Sequence, residues 1–560
     1  MNRQYALVFL LLVFLLPLLI LSLVFTGIPQ SSDLSSYNLQ TFNLLYYTSP
    51  FLWVAVFIIA ILIIFSSFTP TFPPRLAYKL ICVLSLILLL IFYGWPYAIE
   101  PNPRFIDSWV HGRSAKGILE NGRLQLEEFR YHAYPASFIF LSSLSTVTGI
   151  EVTSLLRITP LIYITVFFLF LILLFNKVFY DIKKASISTI IYGLSTFYLA
   201  FHFSPEIFGW LFLFSFLTLI AMDVIKNKKS EVNIAKKYLV LILLIIFGLT
   251  ITHLVTQFVI IILMLVFIII RKKINSKIIN LRIFFFTAIS SLAFSLSFSL
   301  SYIYRVIEGF RMAFKTVLYD ITSSIAAQPL TTYYPPEVAT LILYRRILYA
   351  IVIVTGALGA FSLRKEKRRS FVLLSSIIFV SLLLVPLTVF GILPLERTIK
   401  LAFIPISAFS AHLILKNKKM GIVLLSILLF TIPINFASFY WNEAGIYMTH
   451  DWELASAQFI CAGSYGALLA EYKETTICKF YGNFSKTYDD FHIVGKRPAI
   501  FNSTFIKEQN VKIIQITQLA VLKESWARRK LDINQFLNYS SFNCIYSSEY
   551  SIIISNNNAK

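Results

Sequence analysis

The chain has 560 residues, 58% of them hydrophobic and 14% charged, with a formal net charge of +22. A mean hydropathy of +0.76 excludes a soluble globular domain, because its apolar runs reach the ~18 or more residues that a bilayer-spanning helix needs. The positive charge does not point to nucleic acid, since the Lys and Arg residues lie mainly in short loops between apolar runs, where they set membrane topology.

Taken in chain order, thirteen spans are predicted: 5–26, 51–68, 77–99, 152–176, 186–203, 207–225, 238–252, 254–270, 283–304, 345–363, 371–394, 399–415 and 420–438. The fold class is an all-α polytopic membrane protein with about 13 transmembrane helices. The first run is long for a signal peptide and no A-x-A cleavage pattern follows it, so it reads as a retained anchor. Basic residues follow every even-numbered span. Examples are Arg75 and Lys79, Lys183 and Lys184, Lys228 and Lys229, Arg271 and Lys272, Arg364 and Lys365, and Lys418 and Lys419. The short odd-numbered exits carry almost none. The positive-inside rule then expects a cytoplasmic N-terminus, an external tail and a plasma-membrane location. Counting the short apolar segment 136–150 as a span would invert five basic loops, so it reads as a helix lying at the outer surface.

Three domains follow: two N-terminal spans over 1–76, a core over 77–440 with external loops 100–151 and 305–344, and an external tail over 441–560. In the tail, a helix-like stretch (451–472) precedes short β-rich runs, "VKIIQITQLAVL" and "NCIYSSEYSIIIS", which suggests a small C-terminal α/β domain. The N-x-S/T sequons at Asn483, Asn502 and Asn538 all lie there, as expected of glycosylation sites outside the cell. Of four cysteines, Cys82 sits in an apolar span as a small packing residue; Cys461, Cys478 and Cys544 are in the tail. A Cys461–Cys478 disulfide is the first expectation, with one thiol left over. No zinc-type spacing is present.

The spans are nearly free of charge. His412 in the twelfth is the main exception, and a lone His on an apolar helix reads first as a hydrogen-bonded packing residue. Polar residues gather instead at the outer surface: Asp107, His111 and Arg113; Arg157; "HFSPE" (202–206); "THLVTQ" (252–257); "RVIEGFR" and "YYPPE"; and "ERTIK" (396–400). Six segments thus deliver polar groups to one layer. Glu206 stands out, because its connection is only a few residues long and would otherwise favour neutral turn residues. The turn at His253 is similar.

Three features in order resemble the GT-C superfamily of polytopic glycosyltransferases, the fold of the protein mannosyltransferases and the oligosaccharyltransferase catalytic subunits. They are Asp107 in "FIDSWVHGRSAKGILENG", Tyr134 and Pro135 opening "YPASFIFLSSLSTVTGIE", and Arg157 in "LLRITP". Glu206 in "SPE" matches the second acidic position, and Arg397 in "LPLERTIKLAFIPISAF" matches the late external Arg. The resemblance covers about 77–440. It implies transfer of a sugar from a polyprenyl- or dolichyl-phosphate-linked donor to a cell-envelope acceptor (glycan, lipid or protein) on the outer face, with the bilayer as the other partner. No WWDYG-type motif occurs in the tail, which argues against an asparagine acceptor.

An inverting transfer needs a carboxylate to take the acceptor proton, and Asp107 is the candidate base. Glu206 shares that role, orients the acceptor, or joins Asp107 at a divalent metal such as Mg or Mn. Leaving phosphate calls for cationic donors: Arg397 first, then Arg157, His253 and Lys400, with His111 beside Asp107. Simpler readings stand beside these. Asp107 is also a good N-cap for a helix starting at Ser108, and Glu206 a favourable first-turn acid. Arg397 also suits an interfacial anchor. The competing classes are a lipid-linked-glycan flippase or transporter, which calls for a polar path across the membrane, and a non-catalytic membrane scaffold.

Overall fold

Helices form where the apolar runs lie, and capping chemistry sets their ends. The computed structural model describes residues 3–25, 48–69, 74–100, 102–124, 130–196, 201–225, 233–274, 280–298, 300, 336–389, 395–439 and seven strands between 467 and 556. Helix α1 spans Arg3–Val24, α2 Pro50–Phe68 and α3 Pro74–Ile99. Ser49 caps α2 by accepting the Phe51 amide, with Pro50 at the first helical position. Helices α4 (Ile106–Asn121) and α5 (Ala136–Thr148) end on Gly122 and Gly149, at φ 64° and 69°, where glycine carries no steric cost. Then come α6 (Val152–Phe179), α7 (Ile182–Ser195), α8 (Pro205–Ile225), α9 (Asn233–Thr250), α10 (Leu254–Ile269) and α11 (Leu281–Phe298). The last group is α12 (Pro336–Glu366), α13 (Arg368–Val389), α14 (Leu395–Lys416), α15 (Lys418–Phe430) and α16 (Ile432–Phe439).

A helix stands at each expected span. Among the described residues, eight are long and apolar enough to cross a membrane: α2, α3, α6, α8, α11, α12, α13 and α14. The expected span 186–203 differs most. Its helix, α7, has 14 residues and ends at Ser195. At 1.5 Å per residue that is about 21 Å, short of a ~30 Å hydrocarbon core. Every residue from Ala185 to Ser195 is buried, packed among α3, α6, α12 and α14. It is an interior helix rather than a lipid-facing one, and its Ser and Thr residues suit close helix packing. The thirteenth span is divided, with α15 and α16 meeting at Thr431. Segment 136–150 is a 13-residue helix, too short to cross, in keeping with a surface helix.

The outer helices present exposed Leu, Ile, Val and Phe side chains, including Ile61, Leu173, Phe285, Phe286 and Leu382. A bilayer solvates such a surface at no cost.

Basic loop residues also close helix ends. Lys183 Nζ donates to Ser67 O at 2.9 Å, Lys367 Nζ to Phe179 O at 2.6 Å and Arg369 Nη1 to Val224 O at 3.4 Å. Each serves a carbonyl that its own helix leaves without a partner, at the negative end of the helix dipole. These contacts bring the C-terminal ends of α2, α6 and α8 to one face. His412 packs near this face, its Nε2 3.3 Å from Ser362 Oγ and 3.5 Å from Glu366 Oε2, as a hydrogen-bonded packing residue. Glu206 opens α8 at the opposite end, about 30 Å away for 21 residues.

The tail, described by itself, holds strands β1 (Ala467–Leu469), β2 (Lys486–Tyr488), β3 (Ile493–Val494), β4 (Arg497–Pro498), β5 (Val511–Thr517), β6 (Phe542–Ser547) and β7 (Ser551–Asn556). Five form one mixed sheet in the order β2-β1-β5-β7-β6, and β3 pairs with β4. The β-rich runs at 511 and 543 fall on β5, β6 and β7. The helix expected over 451–472 is corrected at its end: residues 467–469 are a strand, paired in parallel with both β2 and β5. Pairing on both sides overrides a local helical pattern. Cys461, Cys478, Asn483, Asn502, Asn538, Tyr333 and Tyr334 lie outside the described residues.

Candidate functional site

Residues 201–206 join two polar clusters. The segment is pinned from below: Tyr97 Oη donates to Phe201 O, and Tyr93 packs its ring 5.1 Å from that of Phe201.

The first cluster surrounds Asp107. Helix α4 starts at Ile106, so Asp107 lies inside the first turn and makes no cap bond; the N-cap position is Phe105. The capping expectation for Asp107 is therefore corrected. Its side chain is 61% exposed, and Oδ2 stands 3.8 Å from Nε2 of His202. The His111 ring stacks parallel to His202 at 6.1 Å, so His111 meets Asp107 through His202. Phe105 has φ 69°, which strains a non-glycine residue. Its ring is held 5.3 Å from His202 and 5.5 Å from the Arg104 guanidinium. Arg104 itself is buried and paired with Glu100.

The second cluster centres on Glu206. Oε1 accepts Trp210 Nε1 at 3.0 Å and Lys400 Nζ at 3.1 Å. Oε2 accepts Arg397 Nε at 3.2 Å, and Nη2 of the same guanidinium stands 3.1 Å away as an ion-pair contact. Arg397 and Lys400 are one turn apart on α14 and so share a face. A carboxylate has about four lone-pair sites, and three hydrogen bonds engage its two oxygens here.

His253 completes this cluster. It caps α10, its Nδ1 accepting the Thr256 amide at 3.3 Å and lying 2.7 Å from Thr256 Oγ1. An accepting Nδ1 leaves the ring proton on Nε2. Burial above all, aided by Arg397 and Lys400 and opposed by Glu206, pushes the imidazole down to about 3. His253 is thus a neutral donor. The close approach of α10 to α8 depends on Gly209, where a Cβ would collide with Thr256 Oγ1 and stand 3.2 Å from His253 Cβ.

Glu206, Arg397, His253, Thr256 and Trp210 line a narrow cleft whose walls are Leu213, Val255, Val259, Leu384 and Leu401. It joins apolar surface to fixed N–H donors, a combination suited to an amphiphile with an anionic head. His202 and Glu206 are four residues apart, so their Cα atoms lie within about 14 Å and the two clusters are neighbours.

Glu206, Arg397, His253 and Lys400 thus come together, and Asp107 and His111 join around His202. Arg157 belongs to neither set: it is half-buried in the second turn of α6, makes no ion pair or hydrogen bond among the described residues, and does not line the cleft. Asp107 and Glu206 face different partners, His202 for the one and Arg397 with Lys400 for the other. Among the described residues no three His, Cys, Asp or Glu side chains gather around a common point. Sequence reasoning missed Trp210 and Gly209, and placed His202 and Thr256 in the polar layer without giving either a role. The i, i+4 spacing of Glu206 and Trp210 was a readable signal; the others depend on contacts between distant segments.

No protein-family model matches the chain, and no curated protein matches it. Solved structures do. The oligosaccharyltransferase of Archaeoglobus fulgidus in its apo form superimposes with a TM-score of 0.51 at 12% identity, over 86% of this chain and 74% of that one. The same archaeal enzyme in complex with Zn and sulfate gives a TM-score of 0.51 at 11% identity, over 85% and 73%. As AglB, in complex with an inhibitory peptide and a dolichol-phosphate, it gives 0.51 at 12%, over 86% and 74%. The fold is shared with this archaeal oligosaccharyltransferase. At this identity the likeness is one of architecture. The Asp107 and Glu206 clusters lie in the polar layer at one end of the bundle.

Proposed function

We propose that the chain is a membrane glycosyltransferase that moves a sugar from a polyprenyl-phosphate-linked donor to a cell-envelope acceptor. The observation that carries this reading is Arg397, which lines an apolar-walled cleft and is fixed there by Glu206, with Lys400 bound to the other oxygen of the same carboxylate. An isoprenoid chain matches the walls and a phosphate matches the cations. The GT-C fold supports the class, and the archaeal neighbour's dolichol-phosphate complex supports a lipid-linked donor.

The chemistry follows from charge development. Asp107, exposed at the same end, accepts the proton of the acceptor hydroxyl as its oxygen attacks the anomeric carbon. The new bond forms as the bond from that carbon to the phosphate oxygen breaks, with inversion. The leaving phosphate gains a negative charge, which Arg397, Lys400 and the Nε2–H of His253 stabilise in a water-poor site. Glu206 acts as a positioning residue that holds the two cations ready. His202 orients Asp107, and His111 backs His202.

The topology in this reading has thirteen crossings, a cytoplasmic N-terminus and an external tail in the plasma membrane. The basic face of the bundle is then cytoplasmic and the Glu206 end external. The tail forms a small α/β domain bearing glycans at Asn483, Asn502 and Asn538 and a Cys461–Cys478 disulfide. The test is to incubate purified protein with polyprenyl-phosphate sugars and envelope extract, comparing wild type with Asp107→Asn. Lipid-dependent transfer by wild type alone is expected. Equal transfer by both removes Asp107 from the mechanism, and no transfer from any lipid donor removes the reading.

A further inference from the structure

A second cavity lies at the far end of α14. That helix runs from Leu395 to Lys416, so about 28 Å separate Arg397 from Lys416 along its axis. The string Lys416-Asn417-Lys418-Lys419 turns the chain from α14 into α15. Asn417 caps α15, accepting the Met420 amide at 3.3 Å, so a single residue separates the two helices. The helices are held close there: a Cβ at Gly421 of α15 would collide with the Ile414 carbonyl, and one at Gly359 of α12 with the Phe409 carbonyl. An open cavity of about 450 Å³ is lined by Ser362 of α12, Leu413 and Lys416 of α14, and Asn417, Lys418 and Lys419.

The lining is cationic. Lys416 Nζ donates to Ser362 Oγ at 2.9 Å and pairs with Glu366 Oε1 at 2.5 Å, which ties α14 to α12. The Lys418 and Lys419 side chains are exposed and make no ion pair or hydrogen bond among the described residues. Among those residues no carboxylate lines the cavity. Apolar surface continues from it. Ser362 shares its face of α12 with Leu358 and Val354, one and two turns back, and both are exposed. Lys419 shares its face of α15 with Val423 and Ile427, one and two turns on, and both are exposed. Each stripe runs about 12 Å along its helix. Membrane topology asks only for positive charge at this end; it does not ask for a cavity with apolar stripes leading from it.

We propose that this cavity binds the headgroup of an anionic phospholipid from the surrounding membrane, with the lipid's chains lying along the two stripes. A headgroup of net negative charge meets the ammonium groups of Lys418 and Lys419. A zwitterionic headgroup adds an ammonium of its own, which the three lysines repel. A soluble anion engages the lysines alone and leaves the stripes unused. An anionic lipid satisfies both, since its phosphate stands at the level of the helix ends and its chains extend along the spans. Such a site is independent of the glycosyltransferase reading.

The test uses the full-length protein in detergent, stripped of lipid. Native mass spectrometry gives Kd for dioleoyl phosphatidylglycerol and for dioleoyl phosphatidylcholine. Wild type is expected to bind phosphatidylglycerol roughly tenfold or more tightly. Lys418→Gln combined with Lys419→Gln is expected to bring that ratio to about twofold or less, at an unchanged melting temperature because both side chains are exposed. Lys79→Gln combined with Lys273→Gln removes the same charge from exposed lysines elsewhere at the basic end and is expected to keep the wild-type ratio. Inorganic phosphate and glycerol phosphate, in excess at matched ionic strength, are expected to leave the lipid bound. A ratio unchanged in the Lys418 and Lys419 variant overturns the proposal. An equal loss in the Lys79 and Lys273 variant also overturns it, because the attraction is then diffuse. Displacement by either soluble anion overturns the lipid assignment and gives the cavity to a free phosphate.

Discussion

Gly209 of α8 and Thr256 of α10 touch only because position 209 has no side chain: a Cβ there would collide with the Thr256 hydroxyl. The contact brings His253, the cap of α10, against the helix that carries Glu206. Gly209→Ala forces the two helix ends apart. We expect a loss of about 1–3 kcal/mol of stability, as for other overpacked cores, and a larger fall in transfer rate than in donor affinity. Thermal unfolding in detergent and the transfer assay check this.

Asp107→Asn leaves the fold unchanged, because the carboxylate makes no helix-cap bond and is largely exposed. Transfer is expected to fall by about 100-fold or more, in line with the loss of a general base. A melting temperature equal to wild type would establish that the loss is chemical.

Arg397→Lys should not restore function. Arg397 holds Oε2 of Glu206 with Nε–H while Nη2 stands 3.1 Å from the same oxygen, a planar, several-donor geometry that a single ammonium cannot reproduce. Both Arg397→Lys and Arg397→Ala are expected to weaken binding of the lipid-phosphate donor, with Lys closer to Ala than to wild type. Donor titration distinguishes the three proteins.

His253 couples stability to pH. Burial holds its imidazole at about 3, below the ~6.5 of an exposed histidine, so the folded ring is neutral where the unfolded one is protonated. Its contribution is complete above pH ~6.5 and is lost as the pH falls toward 3. His253→Asn retains an N-cap acceptor and removes the titration. A flatter stability profile between pH ~6.5 and 4 is expected in that variant, measured by denaturant or thermal unfolding.

Lys367→Met removes the donor to Phe179 O at the end of α6. A loss of about 1 kcal/mol is expected, with donor binding unchanged, since this face lies across the bundle from Glu206. Thermal unfolding and donor titration together check both parts.

The sequence by itself determined the helices, because a bilayer-spanning run needs only length and apolarity, and both are local. It also named Glu206, Arg397, His253 and Lys400, because charge is rare enough in this chain that each polar residue between apolar runs is conspicuous. What it did not determine was partnership. Glu206 read equally well as a base, a metal ligand or a first-turn acid, and only the tertiary structure brought Arg397 and Lys400 of α14 onto its two oxygens. Asp107 read as a base and also as a cap; the helix start at Ile106 removed the cap by placing it inside the first turn, beside His202. The helix in the expected crossing 186–203 is short and interior, because burial among four neighbours, not hydropathy, decides whether a helix meets lipid. Ion pairs between residues nearly 200 positions apart depend on how helices pack, and packing follows from the shapes of many side chains at once.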